Sequence, residues 1–363
     1  MRKPGIWKGG AAAAAAAAVL AGAGAALAEV PRVAADITPV HGLVARVMQG
    51  LGEPALVVPP GASPHGYSMR PSEARALDQA ELVFWLGGPL TPWLEGPLEE
   101  LAGEARRVEL LEAAGTTVLP FREGARFEAH GHDDHDGHSG EQHADAEGHG
   151  DHDRHADHGG HDDHEEGGHD DHADGHADHE AHDDHADADG HHHEGADPHA
   201  WLLPANAQAW LDVIAEELSE HDPGNAAAYK ANAAAGKQEI ADAVTSISAA
   251  LEPFRARQFI VFHDAYQYFE RGFGLRAAGA ISLSDAAKPS PARIAEVREV
   301  VAETGVTCVF SEPQFNQGLV ATVLEGTGAG TAVLDPLGAK LEPGPQFYPA
   351  LLQDIGAAIA GCE

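Results

Sequence analysis

Short apolar runs alternate with stretches of helical periodicity along most of the chain. "RVAADI" from residue 32 predicts a strand, "VHGLVARVMQGLG" a helix closed by glycine, and "PALVVPP" a second strand. "RPSEARALDQA" places Pro71 near a helix start with Glu73 behind it, and "ELVFWLGG" reads as a buried strand. Strand, helix, strand, helix in this order predicts an α/β layer with a largely parallel sheet. The scheme returns after an alanine-rich helical stretch running from Pro223 to Leu251. There "RQFIVFHDA" and "RAAGAIS" read as strands and "YQYFERGFG" and "PARIAEVREVVAETG" as helices, followed by "VTCVFSEPQF", "NQGLVATVLEGTG", "GTAVLDPLG" and "FYPALLQDIGAAIAGC". The expected architecture is two Rossmann-like α/β lobes, residues 29–222 and 253–363, joined by one long helix over 223–252.

Two segments fall outside this pattern. Residues 1–28 combine a basic start (Arg2, Lys3, Lys8), an alanine-rich apolar stretch and the small-x-small sequence Ala26-Leu27-Ala28, the layout of a cleaved secretory signal peptide. A membrane anchor is the competing reading, but the stretch is short and dominated by Ala and Gly. Residues 128–197, inserted in the first lobe, hold 20 of the 25 histidines and no aromatic residue. Such a segment cannot bury enough apolar surface to offset chain entropy, and disorder is expected for it without metal. It also explains the charge: 25 acidic residues against Arg154 alone make 24 of the 36 net negative charges local to it. No basic patch is left to neutralise phosphates, which argues against nucleic acid as a partner.

Cys308 and Cys362 are the two cysteines, and an exported chain would meet an oxidising compartment. Paired, they would tie the C-terminal helix to a buried strand, with loop-closure stabilisation of about 3 to 4 kcal/mol less any strain. Two free thiols are the other possibility.

In open parallel sheets ligands sit beyond the carboxyl ends of the strands. The polar residues ending apolar runs in the second lobe are His263, Glu312 and Asp335, and the comparable residue of the first is His65. His199, in "DPHAWLLP", stands where the acidic tract gives way to an anchoring Trp201 and Leu202. Singly, each is more ordinarily a hydrogen-bonded or turn-capping residue. As a set, three imidazoles and one carboxylate suit tetrahedral Zn²⁺. His41, on an amphipathic helix, reads as structural or exposed, and His221, before "DPGN", as a helix-boundary residue.

"GASPHGYSMRPSE", "DPHAWLLP", "FIVFHDAYQYFERGFG", "CVFSEPQF" and "LDPLG", in this order and with an acidic histidine-rich insertion, resemble the ZnuA-type zinc-binding proteins of bacterial ABC importers. The resemblance spans essentially the whole chain after residue 28. It implies a monomeric periplasmic receptor that holds Zn²⁺ as transported ligand in the cleft between two lobes and delivers it to a membrane permease. It further implies that His65, His199 and His263 are ligands and that Asp335 completes or approaches the coordination sphere. Pro64 departs from those zinc receptors that carry a glutamate before the first histidine, which throws weight onto Asp335 or a water. Manganese-carrying relatives typically replace the third histidine by a carboxylate, and His263 therefore favours zinc.

Glu312 could stand behind a ligand or serve a zinc hydrolase as general base, but no H-E-x-x-H type motif accompanies it. A zinc buffer or metallochaperone working without a permease is a further alternative. The Asp/His tract offers many weak, interchangeable sites that would raise metal concentration beside the cleft, or else a solubilising loop.

Overall fold

The apolar runs form two parallel sheets. The computed structural model describes residues 30–122, 124, 126–127, 195–282, 289–315 and 317–362. The signal segment and the acidic tract up to residue 194 lie outside the described residues. In the first lobe β1 (Val33–Ala35), α1 (Thr38–Val47), β2 (Ala55–Leu56), α2 (Pro71–Asp78), β3 (Leu82–Trp85), α3 (Glu95–Leu101) and β4 (Arg106–Glu109) follow one another. Their strands order as β2-β1-β3-β4, every pair parallel. Next come α4 (Pro204–His221) and α5 (Ala226–Leu251). The second lobe holds β5 (Phe259–His263), α6 (Gln267–Phe273), β6 (Ala277–Ser282), α7 (Pro291–Thr304), β7 (Cys308–Ser311), α8 (Gln317–Leu324), β8 (Gly330–Val333) and α9 (Phe347–Ala360). Its order, β6-β5-β7-β8, repeats the first lobe's crossover pattern.

Strands covered on both faces read as unbroken apolar runs, and β3 and β5 are buried at every position. "PALVVPP" shortens to a two-residue strand because Pro59 and Pro60 have no N–H to give. Val57 and Val58 still donate to Ala35 and Asp36. The hydrophobic pattern left α3, β4 and α4 unassigned.

The linking helix is more than a linker. Tyr229, Ala233, Gly236, Ile240, Ala243, Ile247 and Leu251 make one buried stripe along the whole of α5. The helix packs against α1 and α4 from the first lobe and α6 and α9 from the second. Packing is close enough to need glycine: a Cβ on Gly356 would stand 2.8 Å from Ile247 Cγ2, and one on Gly236 3.0 Å from Arg46 Cγ. Cys308 and Cys362 form a disulfide with Cα atoms 6.2 Å apart, which fastens the end of α9 to the start of β7.

Both stems of the acidic tract are built into the fold. Pro120 and Ala196 form an antiparallel bridge, and Asp197 N donates to Leu119 O at 2.8 Å. Phe127 N donates to Ala278 O at 2.9 Å, stitching the outgoing stem to the edge strand β6. Asp197, close behind that bridge, is fully buried.

Where the crossovers diverge, β1 and β3 are joined by a buried carboxylate: Asp36 accepts from Ile37 N and Leu86 N, both at 2.7 Å. Burial raises its pKa from 3.8 to about 7, against the lowering effect of those amide bonds. The folded pKa lies above the unfolded one, so this carboxyl contributes stability that is fully present below pH 4 and lost as pH rises to about 7. Denaturant unfolding of wild type and Asp36→Asn across that window should show the wild type losing up to about 1.4 kcal/mol per pH unit relative to the variant. Parallel pH profiles would refute the assignment.

Candidate metal centre

His263 ends β5, where a parallel sheet offers its ligands. The residue after β7, Glu312, is fully buried and accepts from His263 Nδ1 at 2.6 Å and from its backbone N–H at 3.3 Å. Its second oxygen accepts from Gln314 Nε2 at 2.9 Å. Glu312 thus spans β7 and β5 as Asp36 spans β1 and β3, but here the carboxylate fixes an imidazole.

His199 is held in the same way by a residue that sequence reasoning passed over. Asp197 Oδ1 accepts from His199 Nδ1 at 2.7 Å and from its backbone N–H at 2.9 Å. Gln267 Nε2 donates to Asp197 Oδ2 at 2.6 Å and to Pro120 O at 2.8 Å, and Tyr268 donates to Asp197 O. The spacing Asp-Pro-His was the available signal. Composition concealed it by grouping Asp197 with two dozen similar acids.

A carboxylate can only accept, so each Nδ1 carries the proton and each Nε2 presents a lone pair when its ring is neutral. The two Nε2 atoms face each other at 3.3 Å, with ring centroids 5.2 Å apart. Two lone pairs at that distance repel unless a cation or a proton lies between them. Two imidazoles on one tetrahedral zinc, with Zn–N about 2.0–2.1 Å, would place their nitrogens about 3.3–3.4 Å apart.

His65 comes from the loop after β2, half-buried, its ring centroid 5.5 Å from that of His199. Its loop is pinned where Trp93 Nε1 donates to Pro64 O at 2.7 Å, and Trp93 in turn meets the Tyr67 ring edge-on. The carbonyl of Pro64 is spent on that bond, and its side chain has no oxygen to offer a metal. Asp335, 7 % exposed, follows β8 and caps its own turn, accepting from the amides of Leu337, Gly338 and Ala339. Trp201 Nε1 donates to Pro336 O at 2.8 Å and brings that turn against the His199 segment. Among the described residues, no three His, Cys, Asp or Glu side chains already converge on one coordination point. His199 and His263 face each other, the His65 ring lies near that of His199, and Asp335 follows β8 in the second lobe.

Beside the site, Arg122 binds Asp264 and Glu270 together, tying the outgoing stem to the residue after His263. Burial works against the Arg122 charge, but Glu270 and Asp264 outweigh it and hold its pKa above the ordinary arginine value. Of the remaining histidines, His41 bonds Pro54 O through Nε2 and His221 is the last residue of α4. His221 is exposed, at the helix boundary its sequence context suggests.

Two α/β lobes packed on one helix, with an imidazole pair buried at the strand ends, define a bilobal protein of the metal-binding receptor class. Residues 33–362 match the family described as ZnuA, zinc-uptake complex component A, periplasmic. The chain belongs to this ZnuA family. It is 42% identical over 330 residues to the high-affinity zinc uptake system protein ZnuA of Brucella abortus (strain 2308), covering 91% of each chain. It is 41% identical over 338 residues to the protein of that name from Paracoccus denitrificans (strain Pd 1222), covering 93% of each. Its fold is similar to a ZnuA crystal structure, with TM-score 0.63, 22% identity and coverage of 91% and 99%. It is also similar to a Mn-bound periplasmic metal binding protein from candidatus liberibacter asiaticus, with TM-score 0.63, 16% identity and coverage of 91% and 98%.

Proposed function

We propose that this protein is the periplasmic receptor of an ABC zinc importer, which captures Zn²⁺ with His65, His199, His263 and Asp335 and delivers it to the membrane permease. The observation that carries this reading is the pair of Nε2 atoms 3.3 Å apart, each ring fixed from behind by a buried carboxylate. Carboxylate–histidine–metal arrangements of this kind orient the ligand and raise its basicity. Family membership and the names of the relatives agree with it.

An imidazole-rich donor set favours zinc over manganese, which prefers oxygen. His65 and Asp335 complete a tetrahedral sphere by closing on the pair that is already in register. Glu312 is engaged by His263 and Gln314, so it acts by orienting a ligand and leaves no free general base for hydrolysis. Export is supported by the signal-like residues 1–28, and the Cys308–Cys362 disulfide suits an oxidising compartment. No helix among the described residues is long and apolar enough to cross a membrane. The Asp/His tract serves as a low-affinity collector of zinc; this rests on its composition, since it lies outside the described residues.

Crystals of the mature protein grown with zinc and manganese in equal amounts test the reading. Anomalous scattering at the zinc edge should give one dominant peak between the Nε2 atoms of His199 and His263, within reach of His65 and Asp335. A manganese peak there, or zinc elsewhere, would overturn it. The transport step is tested under zinc chelation: the protein should rescue growth of its deletion strain only where the permease is intact, and rescue without the permease would favour a buffer.

A further inference from the structure

Gln267 opens α6, four residues after His263, and is half-buried. Its side-chain Nε2 reaches two acceptors, Asp197 Oδ2 at 2.6 Å and Pro120 O at 2.8 Å. A carboxylate and a peptide carbonyl can only accept, so both hydrogens of the amide are spent there and its orientation is fixed. The next residue, Tyr268, holds the same aspartate by its main chain, its hydroxyl donating to Asp197 O at 2.8 Å. Asp197 is thereby gripped at side chain and backbone by neighbouring residues of α6.

That grip lies on a short route between the two facing imidazoles. From His263 the chain leads into Gln267, one hydrogen bond leads on to Asp197, and Asp197 Oδ1 accepts from both Nδ1 and the backbone N–H of His199. The two oxygens of Asp197 therefore divide their duties: Oδ1 turns His199, and Oδ2 is held by Gln267. Rotation of that carboxylate would swing the His199 ring and move the Nε2 atom that stands 3.3 Å from His263 Nε2. We propose that Gln267 is a positioning residue of the metal centre, which sets the spacing of the His199 and His263 nitrogens by holding Asp197 against the helix that follows His263.

The competing role is a clamp on the stem of the acidic tract, acting through Pro120 O alone. The bond to Asp197 is the shorter of the two, and it is made to a fully buried carboxylate, where a lost donor is costly. The proposal rests on the zinc reading of the site given above, since the spacing of the two nitrogens matters only to a ligand held by both.

Gln267→Met in the full mature chain keeps the length of the side chain and removes both donors. Competition against a fluorescent zinc chelator should show the tight site weakened about five- to tenfold, at or below the roughly 10- to 100-fold typical of residues that bond a ligand directly. In an Asp197→Ala background the same change should cost less than about twofold, the mark of a route through that carboxylate. Cobalt(II) loaded in place of zinc should show shifted visible absorption bands in the variant, because those bands report the angles between ligands and not the stability of the fold. Gln267→Asn, whose shorter side chain cannot reach both acceptors, should behave as the Met variant does. Wild-type affinity and cobalt spectrum in both variants, with thermal unfolding alone lowered, would overturn the proposal and leave Gln267 a stem clamp. An equal loss of affinity with and without Asp197, or failure of both variants to fold without metal, would overturn it too. A wild-type chain with no tight zinc site would overturn the zinc reading itself and this inference with it.

Discussion

A single substitution, His199→Ala or His263→Ala, is expected to abolish the tight zinc site, whereas deleting residues 129–193, with 20 histidines, should leave it intact. Zinc held by four protein ligands carries about 10–16 kcal/mol at neutral pH, or roughly 2.5–4 kcal/mol per ligand. Losing one imidazole then weakens binding about 10²- to 10³-fold. The histidine change also leaves Asp197 or Glu312 buried without its ring donor, which adds to the loss. If the tract offers many weak sites, any one of its histidines can replace another. Competition titration against a strong chelator measures both arms, and zinc-induced thermal stabilisation gives a second readout. Acidification should weaken the tight site as well, because a proton and the metal compete for the space between the two Nε2 atoms. A deletion variant that lost tight binding, or a His199→Ala variant that kept it, would move the site into the tract.

The second large effect is expected from the disulfide. Cys308 and Cys362 are 54 residues apart in the chain, and closing a loop of that size restricts the unfolded state by about 4 kcal/mol before strain. The bridge acts where packing most needs it. Helix α9 lies against α5 with Gly356 over Ile247, so the tie fastens to β7 a helix that covers the shared spine. Replacing both cysteines by alanine should lower unfolding stability by about 2 to 4 kcal/mol, read by denaturant titration with and without reductant. Reductant should shift the wild type towards the variant and leave the variant unmoved. Equal midpoints for all four samples would rule the bridge out as a stabilising element. Zinc affinity measured on folded protein should change little, since neither cysteine touches the imidazole pair.

Much of the site was legible because strand ends are predictable. A run of apolar residues closing on a histidine, as in "FIVFH", names both the strand and the residue at its carboxyl end, and β5 ends at His263. The same reasoning places Glu312 and Asp335 just after β7 and β8. It did not find Asp197, whose neighbours in sequence hid it. The helix α5 was visible as a helix, but its seven-residue buried stripe, shared between the lobes, was not read as a spine.

The order of apolar and polar residues by itself determined the two parallel sheets, the long helix and the few histidines that lie next to anchoring hydrophobic residues, because burial on both faces of a strand leaves a pattern that needs no partner to be seen. Only the tertiary structure decided which donors meet. His199 and His263 are separated by 64 residues, and their facing nitrogens depend on Asp197 and Glu312 turning each ring from behind. Hydrogen-bond direction at a distance is a property of two side chains in three dimensions, and no periodicity along one chain encodes it.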